Sequence, residues 1–311
     1  GFMANQMIRP KLQKILVLFA TLLLVSVGLV QEGHQAEPSF LFPGSVRVFK
    51  DLAYVPGGGV RQQLDIYVPE KPEGPLPLIV WIHGGGWSQG SKEHCLAIPW
   101  WSKGYVIASI NYRLSQNAKF PAQIEDCKAA IRWLRAHAAE YKIDPDRVAA
   151  WGESAGGHLA SLLGTAGDLA EWEQGEPVGS SRIQAVINWY GPTDLTWFST
   201  SAISPAPLEV ELLGGKMEEV AELAAKASPI SYISKDDPPF LIMHGDEDPV
   251  VPLRQSKAFA LALEKAGVKV YLVILKGADH GGAEFLHRDQ LKIVDIFLTR
   301  HLRMHPDEQF H

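Results

Sequence analysis

Most apolar blocks in this chain are continuous rather than alternating, and that feature narrows the architectures open to it. Leu76 to Ile82, Tyr105 to Ile110, Val148 to Trp151, Ala185 to Tyr190, Phe240 to Met243 and Val268 to Leu275 each read as a strand without a polar face. Strands covered on both sides belong to a mostly parallel sheet with helices above and below it. Helical spacing fills the intervals. Ile124, Cys127, Ile131 and Leu134 follow Pro121, Phe259, Leu263 and Ala266 lie between Pro252 and Gly267, and Ile293, Ile296 and Phe297 mark a last helix from about Asp289 to Leu302. At the front, Val46 to Val55 and Gln63 to Val68 flank Pro56-Gly57-Gly58-Gly59, the pattern of an antiparallel hairpin. The expectation is an α/β chain of about eight strands, mostly parallel and flanked by helices, in one domain.

One segment breaks the rhythm. From about 194 to 227 the chain passes through Trp197, Phe198, several Ser and Pro residues and a Glu-rich stretch, where a simple crossover needs far less. An insertion above such a sheet caps a pocket. The start of the chain differs too. Arg9, Lys11 and Lys14 precede the apolar run from Ile15 to Val30, so residues 1–36 read as a tag remnant followed by a signal peptide or signal anchor. Export to the periplasm or beyond the cell is expected, with a membrane anchor through residues 15–30 if the segment is retained, and residues 37–311 form the folded domain. Cys95 and Cys127, the only cysteines, both fall in stretches read as helical and are expected to stay unbridged.

The net charge of −6 and the lack of a basic run in the body of the chain exclude a nucleic-acid surface and favour a small-molecule partner. The chemistry-bearing motifs sit where strands end. Val148 to Trp151 runs into Gly152-Glu153-Ser154-Ala155-Gly156, and the glycines on either side of Ser154 permit a sharp strand-to-helix turn that lifts a hydroxyl clear. A serine is a poor nucleophile at neutral pH and needs a base, an acid that orients the base, and donors for an oxyanion. The strand Leu78 to Ile82 ends in His83-Gly84-Gly85-Gly86-Trp87, whose backbone N–H groups suit that last task. Gly85, Gly86 and Ala155 are the donors named, with His83 pinning the loop. The strand Phe240 to Met243 ends in His244-Gly245-Asp246-Glu247-Asp248, and Asp248, farthest out, is preferred as the acid over its rival Asp246. His280, in Gly277-Ala278-Asp279-His280-Gly281-Gly282, is the base, giving the chain order Ser154, Asp248, His280. Glu153 and His158 are read as braces of the elbow. Trp87, Trp189, Tyr190 and Trp197 are candidate pocket walls. His301 and His305 share a helical face but read as a solvated tail, and with no Cys/His cluster no metal is expected.

Together, HGGGW, WGESAGGH, HGDEDPVVP and GADHGG, with FPAQIEDCKAAIRWLRAHA and WYGPTDL, resemble the bacterial carboxylesterase and feruloyl-esterase-like branch of the α/β-hydrolases, near the hormone-sensitive-lipase-like esterases. The resemblance runs from about Val46 to Leu302. It implies an α/β-hydrolase fold, no cofactor, Ser154, Asp248 and His280 as a triad, and Gly85, Gly86 and Ala155 as oxyanion hole. It also implies hydrolysis of short-chain carboxylic esters, in some members feruloyl or acetyl esters of plant polysaccharide. The expected activity is therefore a serine carboxylesterase acting through an acyl-enzyme, with acyl transfer to alcohols as a side activity. The alternatives are a prolyl-peptidase-like serine peptidase on the same fold and a non-catalytic hydrolase-like binding protein. A peptidase needs a device to grip a peptide amine and none is identifiable, while a non-catalytic relative is expected to have lost a triad member.

Overall fold

A computed structural model of the chain describes residues 45–173, 175–197, 207–216 and 218–303. The expected signal peptide or anchor, residues 1–36, lies outside the described residues, as do residues 198–206 of the expected cap and His305.

Eight strands form one sheet: β1 Val46–Ala53, β2 Gln63–Pro69, β3 Leu76–Ile82, β4 Val106–Ile110, β5 Ile143–Glu153, β6 Ala185–Trp189, β7 Phe240–Gly245 and β8 Val270–Leu275. Their spatial order is β1-β2-β4-β3-β5-β6-β7-β8. β1 pairs antiparallel with β2 and β2 with β4, and every remaining pair is parallel. Among the described residues the α-helices are α1 Ala122–Ala136, α2 Ala155–Thr165, α3 Pro207–Leu213, α4 Ala221–Lys226, α5 Arg254–Lys265 and α6 Arg288–Leu298. This is the mostly parallel, helix-flanked sheet expected from the continuous apolar runs.

Alternate residues of each strand feed two cores. Leu78, Val80, Ala150, Val186 and Ile242 point to the face covered by α1, α2 and α5. Ile79, Trp81, Trp151, Trp189 and Met243 point to the other, covered by α6 and the turn around Trp100. On that second face, Trp151 meets Trp81, Trp100 and Trp189 edge-on, with ring centroids 5.5, 4.9 and 5.0 Å apart. The quadrupole of each indole favours this edge-to-face contact.

The structure corrects two expectations. Cys95 is in a loop, not a helix. Asp65 binds Lys92 Nζ at 2.8 Å, and Ser109 Oγ donates to the Lys92 carbonyl at 2.7 Å, which ties this turn-rich segment to the sheet. Both thiols are free, and the sheet separates them, since Cys127 lies in the α1 core and Cys95 packs against the opposite one. The last helix also changes character: α6 ends at Leu298 and Thr299–Arg303 forms one π-helical turn.

Candidate active site

Ser154 connects β5 to α2 with φ 50° and ψ −119°, a conformation that L-residues seldom adopt. Its flanking glycines make the turn sterically feasible. A Cβ on Gly152 would lie 2.2 Å from the Gly156 carbonyl oxygen, and one on Gly156 would lie 1.9 Å from that of Ile82. The strained serine is locked by its own backbone, its N–H donating to the Trp189 carbonyl at 2.8 Å and its carbonyl accepting from His158 N–H at 3.0 Å.

The three residues singled out in the sequence meet at the carboxyl ends of β5, β7 and β8. His280 Nε2 lies 2.8 Å from Ser154 Oγ, and its Nδ1 lies 2.7 Å from Asp248 Oδ2. Because the carboxylate only accepts, Nδ1 carries the proton and Nε2 is free to accept from the hydroxyl. Asp248 is itself surrounded by donors. Val250 and Val251 N–H reach Oδ1 at 2.8 Å each, and His244 Nε2 lies 3.0 Å from Oδ2. Burial works to raise this carboxyl, but the two imidazoles and their hydrogen bonds outweigh it and hold Asp248 well below the usual carboxylate range.

Asp246 goes elsewhere. Its Oδ1 accepts from Gly277 N–H at 2.6 Å, tying the loop after β7 to the loop after β8. His244, which sequence reasoning passed over, stands under the acid: Ser256 Oγ pairs with its Nδ1 at 2.6 Å, leaving Nε2–H for the Val251 carbonyl and Asp248. The only hint in the sequence is its place at the end of β7, four residues before the acid.

The glycine loop after β3 lies against the elbow, a Cβ on Gly84 being only 3.3 Å from Ser154 Cβ. Gly85, Gly86 and Trp87 all have positive φ, 113°, 58° and 57°. Among the described residues, the loop and turn hydrogen bonds give the N–H groups of Gly85 and Gly86 no backbone carbonyl partner. His83 pins this loop: its Nδ1–H donates to the Gly84 carbonyl at 2.7 Å and its Nε2 accepts from Arg61 at 3.1 Å. Its ring stacks on Tyr112. Burial pushes its pKa down to about 3, so it stays neutral and structural.

The four candidate pocket aromatics separate. Trp189 is no pocket wall, because it shares the face of Ala185 and Ile187, beneath the sheet, with Nε1–H directed at Met243 Sδ, 3.1 Å away. Trp87 is also core, 2% exposed and donating to His158 Nδ1 at 3.1 Å. Tyr190 reaches the triad: its ring stands edge-on to His280 with centroids 4.8 Å apart, and its hydroxyl donates to Glu153 Oε2 at 2.9 Å. Trp197 is half-buried beneath the Arg254 guanidinium, 4.1 Å from the ring centre. Glu153 braces the site as expected, pairing also with His94 Nε2 at 3.0 Å. Burial works against charge on both partners, but their mutual contact outweighs it, lowering the Glu153 pKa and raising that of His94.

Comparison with known proteins places this geometry. Residues 64–263 match the BD-FAE family model. Esterase LipQ of Mycobacterium tuberculosis is 36% identical over 224 residues, 70% of this chain and 53% of that protein. The chain spans about half the length of the curated relatives it matches first, 53%, 52% and 58% of them. Among solved structures, a truncated carbohydrate esterase from gut microbiota superposes with TM-score 0.77 at 31% identity, covering 81% of this chain and 95% of that one. Est2 of Thermogutta terrifontis with propionate bound gives TM-score 0.65 at 32% identity, covering 83% and 94%. With the family model matched over most of the described sheet, the chain belongs to the BD-FAE family of α/β-hydrolase esterases.

Proposed function

We propose that this protein hydrolyses short-chain or aryl carboxylic esters through an acyl-enzyme. One observation carries the reading: a single imidazole bridges a strained serine hydroxyl and a buried carboxylate, at 2.8 and 2.7 Å. His280 Nε2 takes the Ser154 proton as Oγ attacks the ester carbonyl carbon, and Asp248 steadies the resulting imidazolium. The carbonyl oxygen gains charge and is held by the N–H groups of Gly85, Gly86 and Ala155. His280 returns the proton to the departing alcohol, and water repeats the sequence to release the acid.

Relatives support the class of reaction. Est2 has been seen with propionate and with butyrate bound and phosphonylated by cyclosarin, which fits a small acyl site beside a reactive nucleophile. The cap adds a reason for short chains: Leu208 of α3 lies directly on Gly86, so acyl carbons beyond the first few would stay in water and forgo about 0.8 kcal/mol per buried CH₂. The basic and then apolar start of the sequence supports an exported enzyme.

The test is a p-nitrophenyl ester series from acetate to palmitate, with methyl ferulate and an aminoacyl anilide alongside. Butyrate should be turned over far better than palmitate and the anilide not at all. A maximum at long chains would replace this reading by a lipase-like groove, and preferred anilide cleavage would replace it by a peptidase.

A further inference from the structure

The glycine loop is held by the cap at three separate points. A Cβ on Gly86 would lie 2.7 Å from Leu208 Cδ1, so α3 rests directly on the loop backbone. One turn further along α3, Glu211 Oε1 accepts from Ser115 Oγ at 2.9 Å, and Ser115 N–H donates to the Trp87 carbonyl at 2.8 Å. The third tie runs through the interior. Trp87 Nε1–H donates to His158 Nδ1 at 3.1 Å, and His158 Nε2–H donates to the carbonyl of Ala227, where the insertion rejoins the fold, at 2.7 Å.

His158 is fully buried and sits one turn beyond Ser154 on α2. Each ring nitrogen has one partner, and the partners fix the tautomer: Nδ1 must accept from the indole and Nε2 must donate to the carbonyl. Burial pushes its pKa down to about 4, so that arrangement persists through the neutral range. Trp87 needs such support, because a bulky side chain at φ 57° costs energy that its surroundings must offset. Trp87 also anchors the end of the loop that carries the Gly85 and Gly86 N–H groups.

We propose that His158 is a positioning residue through which the cap, by way of Trp87, sets the direction of the Gly85 and Gly86 N–H groups. The inference rests on the esterase reading, in which those groups receive the oxyanion. Its signature follows from when the oxyanion forms. Donors that are misdirected weaken the transition state and leave the bound neutral ester almost untouched, so kcat falls while KM holds. A trifluoromethyl ketone, which adds to the serine and presents the same charged oxygen, should lose affinity in step with kcat/KM.

Three disrupting variants and one rescue variant test this. Trp87→Phe keeps an aromatic ring but loses the pyrrole half with its N–H donor, Glu211→Ala cuts the part-buried tie to Ser115, and His158→Phe removes both interior bonds. Thermal melting is recorded for each. With p-nitrophenyl butyrate, Trp87→Phe should lower kcat about tenfold, a fraction of the loss from deleting an oxyanion donor outright, with KM within about twofold. Glu211→Ala should move kcat the same way by a smaller factor, and inhibitor affinity should track kcat/KM across the set. His158→Asn, whose amide can accept and donate, should recover part of the loss. If His158→Phe does not fold, the other two decide. Unchanged kcat in folded Trp87→Phe and Glu211→Ala, or a rise in KM alone, overturns the proposal. Absence of any ester turnover by the unaltered enzyme would instead overturn the proposed function.

Discussion

Replacing Asp248 by Asn should be far more damaging than the same change at Asp246, although both carboxylates lie on one loop. The Asp248 side chain is wholly buried and meets four N–H donors, two backbone groups on Oδ1 and two imidazoles on Oδ2. An amide offers one acceptor and one donor end, so either orientation sets a donor against two donors. With the NH₂ toward His280, the imidazole must turn to the other tautomer, its Nε2–H then faces Ser154 Oγ, and it can no longer take the proton. With the NH₂ toward Val250 and Val251, those buried N–H groups lose their acceptor at about 1–3 kcal/mol each and the loop shifts. By the first route kcat should drop by about 10³ or more, roughly 4 kcal/mol of barrier. Asp246 uses one oxygen for one N–H, that of Gly277, and an Asn oxygen can serve equally, so kcat should stay within about threefold. The measurement is kcat on p-nitrophenyl butyrate for both folded variants. Equal losses, or a larger loss at Asp246, would refute the assignment of the acid.

Ser154→Ala should remove ester turnover while preserving the melting temperature, since only the nucleophile is lost; rates near those of the unaltered enzyme would exclude the acyl-enzyme route. Burial raises the Glu209 carboxyl in α3 to about 7, so its folded form favours the proton. Its contribution to stability is full below about 4.5 and declines as pH rises through about 7, so Glu209→Gln should stabilise the protein at pH 8 by up to about 3 kcal/mol and not at pH 4; melting curves at the two pH values decide it. Gly156→Ala places a methyl 1.9 Å from the Ile82 carbonyl oxygen, a rigid backbone atom, and should cost about 3 kcal/mol or more in denaturant unfolding; a cost under about 1 kcal/mol would show that the elbow yields. Both thiols should resist aromatic disulfide reagents until unfolding, because burial lifts Cys95 to about 12 and raises Cys127 well above the ordinary thiol range; rapid labelling of the native protein would contradict that.

The sheet was legible because each strand is buried on both faces, which leaves an unbroken apolar run in the sequence. The same runs located Ser154, Asp248 and His280, each just past a strand end. Position alone favoured Asp248 over Asp246, and the structure agrees. The physical reason was not in the sequence: the fold of Asp248-Pro249-Val250-Val251 turns two N–H groups onto Asp248. His244 escaped notice because its work is done through a neighbour. Trp189 was misplaced although alternation along β6 contained the answer, for it shares a face with Ile187 and Tyr190 begins the turn. The expectation of a helix at Cys95 fails because Asp65, Asp51 and Glu93 hold Lys92 in place and the segment stays a loop. Tertiary ion pairs of that kind leave no local periodic signal.

The tryptophans beneath the nucleophile strand have an optical consequence. Four of the nine indoles in the chain, Trp81, Trp100, Trp151 and Trp189, touch in a branched cluster centred on Trp151, three residues before Ser154. At such separations their transition dipoles couple, so circular dichroism in the far ultraviolet will carry an exciton couplet on top of the helix and strand signals. Secondary-structure content read from that spectrum will be distorted. In exchange, the couplet gives an intrinsic gauge of the underside core, collapsing when that layer loosens even if the peptide backbone keeps its helices.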